Sequence, residues 1–403
     1  MSEGEPSDVA GAARLPLTGA GPRLSQALPA GLAGTRVALV HDWLTGMRGG
    51  ERVLEVLCET FPDASLHTLL HVPGTVSAAI ERHQPETSFL QRVPRISRIY
   101  RHLLPLYPMA IEHLDVGDAQ LVISTSHCAA KSIRTRPGTR HLCYCFTPVR
   151  YAWDQFDAYF GPERVGRLRS AVMRTLLDRF ARWDQRTSDR PDRYVAISQY
   201  VARRIQRYYN RRSSVIFPPA DTHYFTPGAA AREPFALVVS ALVPYKRVDV
   251  AVAACRAAGV PLKVVGQGPE AQALARLGGP DVTFLGTLPD ADVREMYRRA
   301  SMVLLPGEED FGLVPVEAQA CGTPVVALGR GGATETVVDG TTGVLTGEGV
   351  DAFAAGIRRV RQQPPSPAAC RAQAERFSTE RFVQQFTDAV QDMHQAAPGA
   401  VRW

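Results

Sequence analysis

Apolar runs of strand length alternate with helix-length segments along most of this chain, and few folds accommodate that pattern other than parallel sheets covered by helices. Two such series are present. The first has strands predicted at Arg36 to His41, Gln120 to Thr125, Arg140 to Cys145 and Arg193 to Ile197, with helices around Glu51 to Thr60 and Val165 to Arg186. The second runs Phe235 to Ser240, Pro261 to Val265, Val282 to Leu285, Ser301 to Leu305 and Pro324 to Ala327, separated by helices near Val248 to Ala258, Ala291 to Ala300 and Val316 to Cys321. Between the series, Phe217-Pro218-Pro219 is a stiff connector that cannot continue a helix. With 403 residues the chain exceeds what one hydrophobic core usually organises. Two α/β domains are therefore expected, residues 35–217 and residues 218–377. The segment Ser378 to Met393 sets Phe382, Phe386 and Val390 on one helical face, and a helix at about 378–395 is expected to pack back across the first domain.

A hydrophobic fraction of 45% with 21% charged residues excludes a chain disordered throughout. Apolar runs such as Val37 to Val40 and Met302 to Leu305 are strand-sized, far below the roughly 18 to 20 residues that cross a bilayer as a helix. Residues 1–34 are rich in Gly, Ala and Pro and lack the basic start and apolar core of a signal peptide; they are expected to be a disordered tail. The seven cysteines are scattered with no CxxC spacing, which fits reduced, buried thiols in the cytoplasm. A net charge of +6 invites a polyanion, either nucleic acid or anionic lipid. No nucleic-acid module stands among the motifs, so no nucleic-acid partner is expected. Arg92, Arg95, Arg98 and Arg101 recur with Ile96, Ile99, Leu103 and Leu104 interleaved. On a helix that segment is either a basic, partly apolar surface suited to anionic membrane or an ordinary solvated face packed by its apolar side.

In open parallel sheets ligands bind beyond the carboxyl ends of the strands, where helix N-termini present free N–H groups. After Arg36 to His41, the pair Gly49-Gly50 before Glu51 either lets the backbone approach a phosphate or sugar closely or makes a simple tight turn into a helix. After Pro261 to Val265 comes Gly266-Gln267-Gly268-Pro269, which lacks the third glycine of a dinucleotide fingerprint. A nicotinamide dehydrogenase is thereby disfavoured, while a nucleotide base can still lie over the loop. The most informative stretch, Gly307 to Ala318, follows Ser301 to Leu305. There Gly312 and Pro315 bracket a helix start, with Glu309 on the loop and Glu317 about one turn in. The amides of Phe311, Gly312 and Leu313 form an expected anion site between them. Carboxylates beside a diphosphate are useful only as acceptors for hydroxyl groups, which a sugar and a ribose supply. Lys246, after the strand Phe235 to Ser240, offers a point charge suited to a leaving diphosphate.

With these residues in place, the chain resembles the GT-B glycosyltransferases of family 4 over roughly Arg36 to Met393. The resemblance rests on Glu309, seven residues, then Glu317, followed by Ala318-Gln319-Ala320-Cys321-Gly322-Thr323-Pro324. Leu242 to Asp249, Val265 to Pro269, Phe284-Leu285-Gly286 and Gly331 to Glu335 add to it. The first half resembles bacterial mannosyltransferases of O-antigen and exopolysaccharide assembly, through His41-Asp42-Trp43-Leu44, Gly49-Gly50-Glu51, Ser124-Thr125-Ser126-His127 and Thr147 to Asp154.

The resemblance implies a GT-B architecture, two Rossmann-like parallel-sheet domains facing across a cleft. It also implies transfer from a nucleotide diphosphate sugar, with retention of configuration and no required metal or other cofactor. Glu317 would hold the ribose hydroxyls and Glu309 those of the transferred sugar. Lys246 would bind the diphosphate, helped by the amides of Phe311 to Leu313 and by Gly49 and Gly50. GDP-mannose is the favoured donor and a UDP-hexose the alternative. A lipid-linked oligosaccharide at the inner face of the cytoplasmic membrane is the expected acceptor, with the Arg92 to Arg101 surface near the bilayer.

Two positions depart from the family pattern. Ala241 stands where an arginine commonly partners the lysine, and Phe146 where a histidine often precedes Thr-Pro. These departures keep open a noncatalytic nucleotide-sugar-binding scaffold. His127 either faces the same cleft or is structural. Arg150 is either an acceptor or phosphate contact or a solvated charge.

Overall fold

The computed structural model describes residues 30–154 and 156–396. Their contacts divide them into two compact units, one of residues 30–217 with 382–396 and one of residues 218–381. Most of the segment expected as a tail, residues 1–29, lies outside the described residues. Ala30–Leu32, however, form a 3-10 turn with Leu32 buried, so regular structure begins before position 35.

The N-terminal unit holds β1 (Val37–His41), β2 (Ser65–Thr68), β3 (Glu86–Thr87), β4 (Leu121–Ser126), β5 (Arg140–Cys145), β6 (Arg193–Ala196) and β7 (Ser214–Val215). They pair in parallel in the order β3-β2-β1-β4-β5-β6-β7. Every residue of β1 and β4 is buried, because helices cover both faces of a parallel sheet. Two-sided burial is why these strands read as continuous apolar runs. The chain order reverses between β1 and β4, and a reversal of this kind leaves a crevice at the carboxyl ends of the two strands.

The C-terminal unit repeats the plan with β8 (Ala236–Val239), β9 (Leu262–Val265), β10 (Val282–Gly286), β11 (Met302–Leu305), β12 (Val325–Leu328) and β13 (Gly343–Thr346). All pairs are parallel, in the order β10-β9-β8-β11-β12-β13. Its reversal lies between β8 and β11. On one face of this sheet, Val248, Val252 and Cys255 of the helix Val248–Ala258 pack with Phe353 and Ile357 of the helix Val350–Gln362.

The last helix, Thr379–Gln395, begins in the C-terminal unit and from Phe382 onward belongs to the N-terminal one. Phe382 and Phe386 set their rings edge-on to Tyr144 of β5, at 5.6 and 5.7 Å between centroids. The Tyr144 hydroxyl in turn donates to the Ile216 carbonyl at 2.9 Å.

The arginine-rich segment is not the single helix expected of it. It breaks into Phe89–Arg92, Ile96–Ile99, Tyr100–Leu106 and Tyr107–Glu112, with Arg95 in the left-handed region at φ 57°. Pro94 and Pro105 explain the interruptions, since proline lacks a backbone donor and restricts the residue before it. Arg92, Arg95 and Arg98 remain exposed, as do Phe89, Leu106 and Met109.

A buried ion pair stiffens the unit behind β4. Lys131 meets Asp184 at 2.9 Å and also donates to the Asp184 carbonyl at 2.7 Å. Trp153 Nε1 and the Tyr209 hydroxyl both donate to the other Asp184 oxygen, at 2.9 and 2.8 Å. With Arg204 bound to Asp154, this network fixes the loop and short helix that carry Arg150. All seven cysteines are free and buried. No helix among the described residues is long and apolar enough to cross a membrane.

Candidate functional site

In the C-terminal unit the predicted residues converge on the β8/β11 reversal. Lys246 lies in the 3-10 turn Pro244–Lys246 after β8, while Glu309 lies on the loop after β11. The two form a direct ion pair, mostly shielded from solvent. Two contacts hold that loop in place. Gly332 N–H donates to the Glu309 carbonyl at 2.7 Å, and Phe311 is buried with its ring against Phe377.

Gly312 then precedes the helix Leu313–Ala320 at φ 88°, a left-handed conformation that side chains rarely adopt. Leu313 opens that helix, with Gly312 immediately before it and Phe311 on the loop between Glu309 and Gly312. Glu317, four residues into the helix from Leu313, is buried and accepts a hydrogen bond from the Tyr297 hydroxyl at 2.9 Å. Tyr297 is a site residue that the motif does not contain. It comes from the helix Asp290–Arg299, twenty positions earlier, and no local pattern announces it.

Gly266, expected to contact the donor, is tightly packed between neighbouring loops. Its amide donates to the Gly286 carbonyl at 2.7 Å, and a Cβ there would stand 1.8 Å from the Ser240 carbonyl oxygen at φ 134°. It is a packing glycine that lets the loop after β9 close on the loop after β8. Arg247, next to Lys246, pairs with Asp249 at 3.1 Å and does not replace the positive charge missing at Ala241.

The N-terminal unit gathers its own polar cluster at the β1/β4 reversal. Gly49 and Gly50 open the helix Gly49–Thr60, and the Glu51 carboxylate accepts the Arg48 N–H at 3.1 Å, closing the helix start. Phe146, after β5, fills the space beside Gly50: a Cβ there would meet its ring at 3.3 Å and His41 Cε1 at 3.6 Å. His41 Nδ1 and the Thr125 hydroxyl lie 2.7 Å apart, bridging β1 to β4. Burial lowers the His41 pKa to about 3, so this ring is neutral.

His127, just after β4, is tied to Asp42 by an Nδ1 to Oδ2 distance of 3.0 Å. Burial alone would lower its pKa, but the charge and hydrogen bond of Asp42 raise it overall. Arg150 opens the helix Arg150–Trp153 in the same unit and is half-buried. Among the described residues, no group of three or more His, Cys, Asp and Glu is arranged to hold a metal ion.

Two parallel-sheet units, each with its polar residues at the point of strand reversal, make up the GT-B fold. Solved structures of that type superpose on nearly the whole chain. Anabaena Alr3699/HepE in complex with UDP has a TM-score of 0.62 at 19% identity, covering 89% of this chain and 100% of that one. Sucrose-phosphate synthase from Thermosynechococcus elongatus has a TM-score of 0.66 at 18% identity, covering 90% and 100%.

More particularly, residues 221–377, which lie in the C-terminal unit, match the model of the glycosyl transferases group 1 family. Among curated relatives, the D-inositol 3-phosphate glycosyltransferase of Mycolicibacterium smegmatis is 36% identical over 219 residues, 48% of this chain and 50% of the relative. The protein of the same name from Kribbella flavida is 35% identical over 218 residues, 45% of this chain and 51% of the relative. The chain thus spans about half the length of the curated relatives it matches. These names speak of D-inositol 3-phosphate and not of mannose or O-antigen.

Proposed function

We propose that this protein is a retaining glycosyltransferase that moves a hexose from a nucleotide diphosphate sugar, with GDP-mannose as the donor, to a lipid-linked saccharide. The observation that carries the donor half is the Lys246–Glu309 pair beside the first turn of Leu313–Ala320 at the β8/β11 reversal. A diphosphate competes with Glu309 for the Lys246 ammonium and takes further hydrogen bonds from the helix amides. Once Lys246 turns to the phosphates, the Glu309 carboxylate is released to accept sugar hydroxyls. Glu317, bonded by Tyr297, accepts the ribose hydroxyls in this reading. As the leaving group's negative charge grows, the ammonium stabilises it more than it stabilises the ground state. The leaving phosphate oxygen itself takes up the acceptor proton in a front-face transfer, and no dedicated base is required.

The acceptor half rests on less local chemistry. Exposed Phe89, Leu106 and Met109 share a segment with exposed Arg92, Arg95 and Arg98. That combination suits a peripheral position on anionic membrane at its cytoplasmic face. A second reading is favoured by the curated relatives: D-inositol 3-phosphate, a phosphorylated polyol, as acceptor.

One experiment addresses donor and acceptor together. Purified protein is incubated with GDP-mannose or UDP-glucose and either a membrane lipid extract or inositol 3-phosphate, and the products are identified. Mannosyl lipid from GDP-mannose is the expected result. Transfer from UDP-glucose alone overturns the mannose donor, and product on inositol 3-phosphate alone overturns the lipid acceptor. No turnover of any donor, with unchanged behaviour of Glu309→Ala in vivo, points instead to a noncatalytic scaffold.

A further inference from the structure

Of the large apolar side chains exposed among the described residues, the two most exposed stand one turn apart on a single helix, Leu168 at 80% and Val172 at 53%. That helix, Arg167–Arg186, is 20 residues long and lies in the crossover between β5 and β6. Its inward face is ordinary: Ser170, Leu177, Ala181 and Asp184 are buried, and they keep to one side of a 3.6-residue period. The opposite side carries Leu168, Val172, Thr175, Arg179, Arg182 and Arg186, spaced by four and three in turn, and every one is exposed.

A lone exposed leucine needs no explanation, but an outward stripe that begins in leucine and valine and ends in three arginines is a patch with two kinds of surface. Arg167 and Arg169 flank Leu168 and are exposed as well, whereas Asp178 is the one exposed acid of the helix. Arg174 is used otherwise: it pairs with Asp157 at 3.1 Å and lies over the Phe156 ring at 3.9 Å. We propose that the helix Arg167–Arg186 is a membrane-docking element, with Leu168 and Val172 in the acyl boundary of an anionic bilayer and Arg179, Arg182 and Arg186 on its lipid phosphates. This inference rests on the peripheral-membrane reading above and adds a second element to it.

The charge decides among occupants. A two-fold contact with a second copy would bring the same arginines face to face, and that repulsion grows as water is excluded. A bilayer needs no fitted pocket: it takes protruding leucine and valine at the depth of its acyl chains, while arginine stems reach back to the phosphates. Because the apolar half comes first, the helix meets the bilayer tilted, with Leu168 deeper than Arg186, about 27 Å further along the axis. The place of the helix agrees. On its inward side Phe180 and Trp183 pack in the same core cluster as Tyr107, Ala110 and Ile111, and Trp183 Nε1 donates to Glu112 Oε1 at 2.9 Å. Those partners continue the arginine-rich segment that exposes Leu106 and Met109. The helix therefore adjoins, within one unit, the segment proposed to lie on the membrane.

The test is flotation of the full chain with phosphatidylcholine vesicles, with and without about a quarter phosphatidylserine. The wild type is expected to float with the anionic vesicles and far less with the neutral ones; equal flotation with both overturns the anionic assignment. Leu168→Ser with Val172→Ser is expected to lower partition onto anionic vesicles by about tenfold or more. Its urea midpoint should stay unchanged, because both side chains are already in water. Arg179→Gln with Arg182→Gln and Arg186→Gln is expected to lower partition by roughly a hundredfold at low salt, and by less as salt rises. Wild-type flotation in either variant overturns the docking helix and leaves the membrane reading to the Phe89 to Met109 segment. No flotation of the wild type overturns both. A wild-type dimer, seen by light scattering without lipid and converted to a monomer by Leu168→Ser with Val172→Ser, gives the face to a second copy and also overturns the proposal.

Discussion

Lys246 and Glu309 neutralise each other at the β8/β11 reversal, and the consequence of removing one differs from that of removing the other. Lys246→Ala takes away the charge that meets the diphosphate, and kcat/KM for the donor is expected to fall by about a hundredfold or more. Glu309→Gln frees the ammonium while weakening the hold on sugar hydroxyls, so nucleoside diphosphate alone should bind at least as tightly as to the wild type. Calorimetry with GDP and steady-state kinetics together separate the two outcomes; tight nucleotide binding by Lys246→Ala would contradict the assignment. Tyr297→Phe removes one hydrogen bond from buried Glu317, and donor affinity is expected to drop about five- to tenfold without loss of fold. Glu309, Glu317 and Lys246 were picked out in the sequence by their spacing and their place after strands, and the structure brings Lys246 and Glu309 together. Tyr297 and Asp42 were not picked out, since each reaches its partner through the fold. Asp42 acts on residues about 85 positions away, and only the pairing of β1 with β4 brings them together.

At the scale of elements, the long buried strands were legible and the short ones were not. β1, β4 and β11 are apolar runs on both faces, whereas β3 and β7 have two residues each and present no pattern. β2 reads Ser-Leu-His-Thr, too polar to announce a strand, yet its position beside β1 buries three of the four. The order of strands, which creates both reversals, is set by crossover connections and leaves no local trace in composition. The terminal helix shows what periodicity can and cannot say. Phe382, Phe386 and Val390 marked a face to be buried, but not the β5 tyrosine that receives it. Phe386→Ala removes a fully buried ring from that contact and is expected to destabilise the N-terminal unit by about 3–5 kcal/mol. Urea denaturation followed by near-ultraviolet circular dichroism measures it, and a loss below about 1 kcal/mol would show that the helix is not integral to that core.

For the whole molecule, buried histidines tie stability to pH. Burial lowers the pKa of both His41 and His141 to about 3; Asp42 partly opposes this at His41, and Lys131 and Arg190 reinforce it at His141. In the unfolded chain both titrate near 6.5, so between the two values the unfolded state binds more protons. Stability is therefore expected to fall as pH drops through about 6.5, by up to about 1.4 kcal/mol per pH unit for each group. Asp42, held below the usual carboxylate range against the cost of burial, adds a loss in the same direction at still lower pH. Urea midpoints between pH 7.5 and 4.5 should show this decline, shallower in His141→Gln, and a midpoint independent of pH would refute it.

The helix that starts in one unit and finishes in the other bears on how the molecule is made. The N-terminal unit leaves the ribosome before the C-terminal one but is completed after it. Until residues 218–381 have been synthesised, Tyr144 has no Phe382 or Phe386 to cover it, and an apolar patch on β5 waits in the open. A fragment ending at the Phe217-Pro218 junction would carry that patch permanently, so a product cut at the obvious boundary is the one most prone to aggregate.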